Sequence, residues 1–113
     1  AVFAFEMVHD LAHPVEALRA ARRLTGAGRS PVILMDERTE EEFSAPASPV
    51  ERFFYACSVL HCLPVGRAEN RSAATGTVMR PAVLRRYAAE AGFGEVTILP
   101  IEHDFFRFYR LQG

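Results

Sequence analysis

The chain opens on AVFAFEMVHD, a run of apolar residues with little polar alternation that closes on ionisable groups. Continuous apolar character over a strand length is the pattern of a strand buried on both faces, as inside a parallel sheet. Such a strand needs neighbours on both sides. The run begins at residue 1, so the expectation is a piece of a larger domain or an edge that something else covers. Glu6, His9 and Asp10 stand at its carboxyl end, where open α/β sheets bind their ligands. Chemistry is expected there.

The elements that follow give this strand a partner. Pro14 suits the first position of a helix, and Val15, Leu18, Ala21 and Leu24 recur at helical spacing until Gly26 stops it. PVILMDE then repeats the opening pattern, an apolar run ending in carboxylates. Strand, helix, glycine turn and strand make a βαβ unit, whose two strands are parallel. If those strands are adjacent, Asp36 and Glu37 finish close to Glu6 and His9. Residues 38–47, with Glu40, Glu41 and Glu42, read as a solvated connection rather than a metal site. Ser48-Pro49-Val50-Glu51 is a capping-box pattern that starts a second helix, with Val50, Phe53, Phe54, Cys57, Leu60 and His61 on one face until Pro64 ends it. Residues 65–79 have no period and read as a loop long enough to be functional. Pro81 opens a third helix that buries Leu84, Tyr87, Ala88 and Ala91 and closes at Gly92. EVTILPI and DFFRFYRL are too close in sequence to be parallel, so an antiparallel hairpin is expected, with Pro100 placing its first strand at a sheet edge.

Composition limits the function classes. At 113 residues, 50% hydrophobic and 24% charged, the chain has room for one ordinary globular domain or part of one. A formal charge of -1, with every basic residue a scattered arginine, offers no general attraction to nucleic acid or to an anionic membrane. No apolar stretch approaches the length of about 20 residues that a membrane-spanning helix needs. On a regular helix Cys57 and Cys62 point about 140° apart, which disfavours a disulfide and suits a cytoplasmic protein.

The strings FEMVHDLAHPVEALRAARRL, VILMDE, SVLHCLP, TGTVMRPAVLRRYAAEAGF and PIEHDFFRFYRL, in this order and over essentially the whole chain, resemble the C-terminal half of a class I S-adenosylmethionine (SAM) dependent methyltransferase. The resemblance is to the kind with a winged-helix segment ahead of the catalytic domain. It implies an α/β fold in which residues 1–113 form one partial domain. That domain is a partial Rossmann-like methyltransferase sheet of two parallel strands plus a C-terminal antiparallel hairpin, with flanking helices, from a seven-stranded whole. It further implies methyl transfer from SAM to a small-molecule acceptor, a hydroxyl, in the full-length protein. The family's glycine-rich cofactor loop and its ribose-holding acidic residue have no counterpart here, so the chain alone is expected to bind SAM poorly and to be inactive. The alternative is a non-catalytic methyltransferase-like fragment, an interaction module or a homodimer formed through the open strand edge.

By the same resemblance His9 is the general base and Asp10 orients it, while Glu6 and Met7 lie near the methionine end of the cofactor. A histidine with its ordinary pKa near 6.5 suits removal of a hydroxyl proton. His61 and Cys62 help close the substrate pocket, and Thr77 and Arg80, together with Thr75 and Met79, meet the substrate. Blander roles compete with these: His9 holding a loop, Met7 in the core, residues 72–80 in solvent. His9-Asp10-Leu11-Ala12-His13 mimics a zinc motif, but that motif needs one continuous helix, and Pro14 drives His13 out of the α region. No metal is expected. The aromatics of DFFRFYRL read as a strand buried on two sides, and His103 and Asp104 as an exposed turn.

Overall fold

The computed structural model describes residues 1–68 and 71–113. The opening run yields a short strand, β1 (Val2–Phe5), and a 3-10 turn at Val8–Asp10. The helix at Pro14 is α1 (Pro14–Leu24), and its return strand is β2 (Val32–Glu37). The two strands are adjacent and parallel, with Val2 opposite Val32 and Phe5 opposite Met35. After α2 (Pro49–Cys57), a π-helical segment at Ser58–Cys62 and α3 (Leu63–Arg67), the chain enters α4 (Pro81–Ala91). It ends in β3 (Glu95–Ile98) and β4 (Phe106–Gln112), antiparallel as expected. The sheet order is β1-β2-β4-β3, so β4 inserts between β2 and β3 and β3 takes the edge. The result is a mixed α/β fold with an open four-stranded sheet.

One face of that sheet carries the core. Val32 and Leu34 of β2 and Tyr109 and Leu111 of β4 pack against Leu18 of α1 and Leu84, Ala88 and Ala91 of α4. The periodicity of α4 is therefore sound, and Gly92 closes it in the left-handed region at φ 96°. On α1 the stripe is only partly used, because Leu24 at its last turn is exposed.

The opposite face departs from the expectation of two-sided burial. In β1 burial alternates, with Phe3 64% and Phe5 49% exposed. Their register neighbours Ile33 and Met35, and Phe108 across from Met35, are only half-buried. The apolar residues are those of a covered strand, but α1 and α4 both lie on the other side of the sheet. β1 is also an edge strand among the described residues.

The second helix corrects the sequence reading in two ways. Ser48 caps it as expected, accepting from the Glu51 amide, but of its apolar stripe Phe54 is buried while Phe53 and Leu60 are exposed. Pro64 does not end it. The Leu63 amide reaches back five residues to the Ser58 carbonyl, and this wide turn carries the helix through into α3. In a regular α-helix the Pro64 ring would crowd the carbonyl four residues earlier, whereas a wider turn leaves room for it. The loop expected over residues 65–79 thus starts later, and its positions 69 and 70 lie outside the described residues. No helix is long and apolar enough to cross a membrane among the described residues.

Candidate functional site

At the carboxyl ends of the parallel strands the ladder runs one step beyond β1, where the Glu6 amide donates to the Met35 carbonyl at 2.8 Å. Glu6 then takes a left-handed conformation at φ 49°, which breaks the strand and turns the chain into Val8–Asp10. His9 is thereby driven inward, to 3% exposure, against the last two residues of β2. The proximity of Asp36 and Glu37 inferred from the βαβ order is realised.

His9 Nδ1 lies 2.6 Å from Asp36 Oδ1 and 3.2 Å from Glu37 Oε2, and His9 Nε2 lies 3.2 Å from Asp10 Oδ1. Asp36 is fixed a second time, by accepting the Glu37 amide at 3.0 Å. Burial by itself pulls the His9 pKa down. The hydrogen bond and charge of Asp36, followed by the charges of Glu37 and Asp10, outweigh it and raise the imidazole from 6.5 to about 9. Glu37 is pushed up to about 8 by burial and by the hydrogen bond and charge of Asp36, against the pull of His9. Near neutrality the cluster therefore holds an imidazolium and a protonated Glu37 that shares its hydrogen with Asp36. The ordinary histidine pKa assumed from the sequence does not apply here.

A cavity of about 700 Å³ opens beside this cluster. Its polar end is made by His9, Asp10, Glu37, Cys62 and Thr77, and Phe53, Phe54, Leu60, Phe105 and Phe106 form apolar walls. The π turn places Cys62 at the polar end, with its sulfur near His9 and Asp10. Burial, together with the hydrogen bond and charge of Asp10 and the charge of Glu37, pushes the Cys62 thiol up, against an opposing hydrogen bond from Thr77. A thiol so placed stays protonated and is a poor nucleophile. Cys57 also lines the cavity, and the two cysteines are free. Thr77 is held from below, its amide donating to Ser58 Oγ at 3.2 Å.

The residues singled out from the sequence are thus partly brought together. Glu6, His9, Asp10, His61, Cys62 and Thr77 line one cavity. Met7, 40% exposed, is not among its lining residues. Arg80 points elsewhere: its terminal nitrogens donate to the carbonyls of Glu40 and Glu42, to the Glu51 carboxylate and to the Tyr55 hydroxyl. Burial works against the charge on both partners, yet the pairing raises Arg80 and lowers Glu51. This arginine ties the 38–47 connection to α2. Thr75 is likewise engaged, with the Tyr87 hydroxyl at 2.8 Å, and Met79 is core. Phe105 and Phe106, read from the sequence as core aromatics, instead form cavity wall, because β4 starts where the cavity does. His103 and Asp104 are exposed as expected, and His13 lies outside α1 at φ -124° and ψ 66°.

No family model matches the chain, and no curated protein matches it. What the fold and site define together is an α/β domain with an open sheet. At its strand ends an apolar cavity meets a buried histidine held among carboxylates.

Proposed function

We propose that, in the full-length protein, this domain supports transfer of a methyl group from SAM to a hydroxyl of an apolar small molecule, with His9 as the base. The observation that carries this reading is the His9 cluster at the floor of the cavity. Asp36 accepts from Nδ1 and fixes the ring, so Nε2 is the nitrogen that serves as base, and Asp36 rather than Asp10 is the orienting carboxylate. The aromatic walls offer apolar surface against which an acceptor can be aligned, and orientation is most of what an in-line displacement asks of a protein. The parallel pair followed by the reversed hairpin also agrees with what the family resemblance implies.

The donor set suits the proposed cofactor at one end. SAM supplies an electrophilic methyl group on a cationic sulfur, and the buried Asp10 Oδ1 and Glu37 Oε2, neither with a hydrogen-bond donor of its own, give that end of the cavity acceptor oxygens. Glu6 and Asp10 are the residues that would face the sulfonium. His9 receives the acceptor proton at Nε2, and Asp36, paired with Nδ1, stabilises the imidazolium that forms. Having a pKa of about 9, the imidazole is mostly protonated at neutral pH, so the proposed reaction speeds up as pH rises toward 9.

The experiment is a methyl-transfer assay with labelled SAM and a panel of hydroxylated aromatic acceptors, comparing the full-length protein with its His9→Ala variant. Loss of a general base lowers turnover by about 10²- to 10⁴-fold and leaves SAM affinity nearly unchanged. Equal turnover in the variant removes His9 from the mechanism.

A second reading rests on β1. Phe3 and Phe5 are exposed on an edge strand, a surface that invites strand pairing. A non-catalytic interaction or dimerisation module would use that edge. Light scattering separates the two: a dimer without methyl transfer favours the module, and a monodisperse monomer counts against it.

A further inference from the structure

We propose that Asp10 is the gate of this cavity: its carboxylate occupies the place of the acceptor oxygen on His9 Nε2 and swings outward to admit a neutral hydroxyl. The inference rests on His9 acting as the base, and it assigns the two aspartates that flank the ring opposite roles.

The asymmetry between them is geometric. Asp36 accepts from His9 Nδ1 at 2.6 Å and from the Glu37 amide at 3.0 Å, and its side chain is 2% exposed. It is pinned from two sides. Asp10 meets the ring at 3.2 Å, and its side chain is 32% exposed toward the cavity it lines. Its buried Oδ1 has no hydrogen bond of good geometry, and the Cys62 thiol stands near it beside the ring. Moving Asp10 therefore breaks one long ionic contact and the weak bond of a thiol, whereas moving Asp36 uncovers a buried carboxylate. The wall behind Asp10 is tight, since a Cβ on Gly66 of α3 would sit 3.1 Å from the Asp10 carbonyl oxygen. The main chain of Asp10 is packed against α3, and its side chain lines the cavity.

The consequence for chemistry is a resting state in which the base is covered. With Asp10 in place, Nε2 carries a hydrogen that is directed at a carboxylate, and an acceptor finds no lone pair. An incoming hydroxyl takes the position of Oδ1, and the carboxylate moves away, removing one of the negative charges that favour the imidazolium. The groups that face His9 are Asp10 on its own turn, Asp36 and Glu37 on β2, and Cys62 on the π-helical segment. Three of these four groups are carboxyls, and the site discriminates against anions: a carboxylate acceptor meets the Asp10 carboxylate at the point where a hydroxyl displaces it.

The test uses phenol and benzoate as probes and does not require turnover, so it is independent of the methyl-transfer assay. Dissociation constants are measured by NMR titration on the imidazole nitrogens of His9, for the native chain, Asp10→Ala and Asp10→Asn. Removing a competing charge-assisted contact is expected to tighten phenol roughly tenfold in Asp10→Ala. It should also bring benzoate, which native protein rejects, into the binding range. Asp10→Asn retains an acceptor without the charge, so benzoate binding improves while phenol gains less than in the alanine variant. The downfield Nδ1 proton shared with Asp36 persists in both variants and reports an intact ring position. Phenol affinity unchanged or weakened in Asp10→Ala overturns the gate and makes Asp10 a ligand of the acceptor. Failure of phenol to move the His9 resonances in any of the three proteins also overturns it. If Asp10→Ala does not fold, the benzoate response of Asp10→Asn decides the matter alone. Methyl transfer that survives a failed gate leaves the base assignment standing.

Discussion

Replacing Asp36 by asparagine removes the largest stabilising partner of the His9 cation while keeping the shape of the β2 terminus. In the native fold His9 titrates near 9 against an ordinary 6.5, a gap of about 2.5 units, or roughly 3 kcal/mol of preferential binding of one proton. Because the folded value is the raised one, this stabilisation is fully present below pH 6.5. It is lost as pH climbs through 9. Glu37 adds to the trend with the same sign: its folded pKa of about 8 lies above its ordinary 4.5, so it favours the folded state below pH 4.5 and loses that contribution as pH rises through 8. The native protein should therefore lose stability steadily between pH 5 and 9. Asp36→Asn leaves burial, which lowers the histidine, opposed only by Glu37 and Asp10, and it removes the main charge that raises Glu37. The His9 midpoint falls by about two units, and the stability curve flattens across pH 6.5 to 9. Urea denaturation followed by circular dichroism at pH 6, 7.5 and 9, with NMR titration of the imidazole, measures both quantities. A variant whose His9 still titrates above 8, or a native protein whose stability is level from pH 6.5 to 9, would refute the charge assignment.

Two further perturbations separate scaffold from site. Arg80→Met leaves the buried Glu51 carboxylate without its cation, and a loss of about 3 to 5 kcal/mol is expected. Thermal melts should show it, while phenol affinity at the cavity stays as in the native chain. Leu84, fully buried where α4 meets the sheet, should cost about 2 to 5 kcal/mol on truncation to alanine. A fall below about 1 kcal/mol in the urea midpoint analysis would mean that the α4 interface closes over the gap.

Much of this architecture was legible because local chemistry and tertiary structure agree. Pro14 and Pro81 open their helices, Ser48 caps α2, Gly92 ends α4, and two apolar runs around a helix become parallel neighbours. Adjacency of those runs was also enough to bring Asp36 and Glu37 toward His9. What stayed hidden depends on contacts between elements distant in sequence. Phe3 and Phe5 read as buried since hydrophobicity alone does not say which sheet face a helix covers. Arg80 read as a substrate contact because nothing local signals that Glu51, 29 residues earlier, waits buried across the chain for its guanidinium. The basicity of His9 was misjudged for a related reason, as three carboxyl groups from two elements set it. Phe105 and Phe106 carry no mark in the sequence that distinguishes wall from core.

The wide turn at Ser58–Cys62 amounts to one residue more than an α-helix of the same span would hold. That surplus residue changes which way everything after it faces. Excising a single position between 58 and 62 would restore regular winding and rotate His61 and Cys62 by roughly 100° relative to α2, taking the sulfur off the Asp10 carboxylate and the Pro64 ring into the preceding carbonyl. The length of this helix, more than the identity of any one of its side chains, sets the composition of the cavity floor.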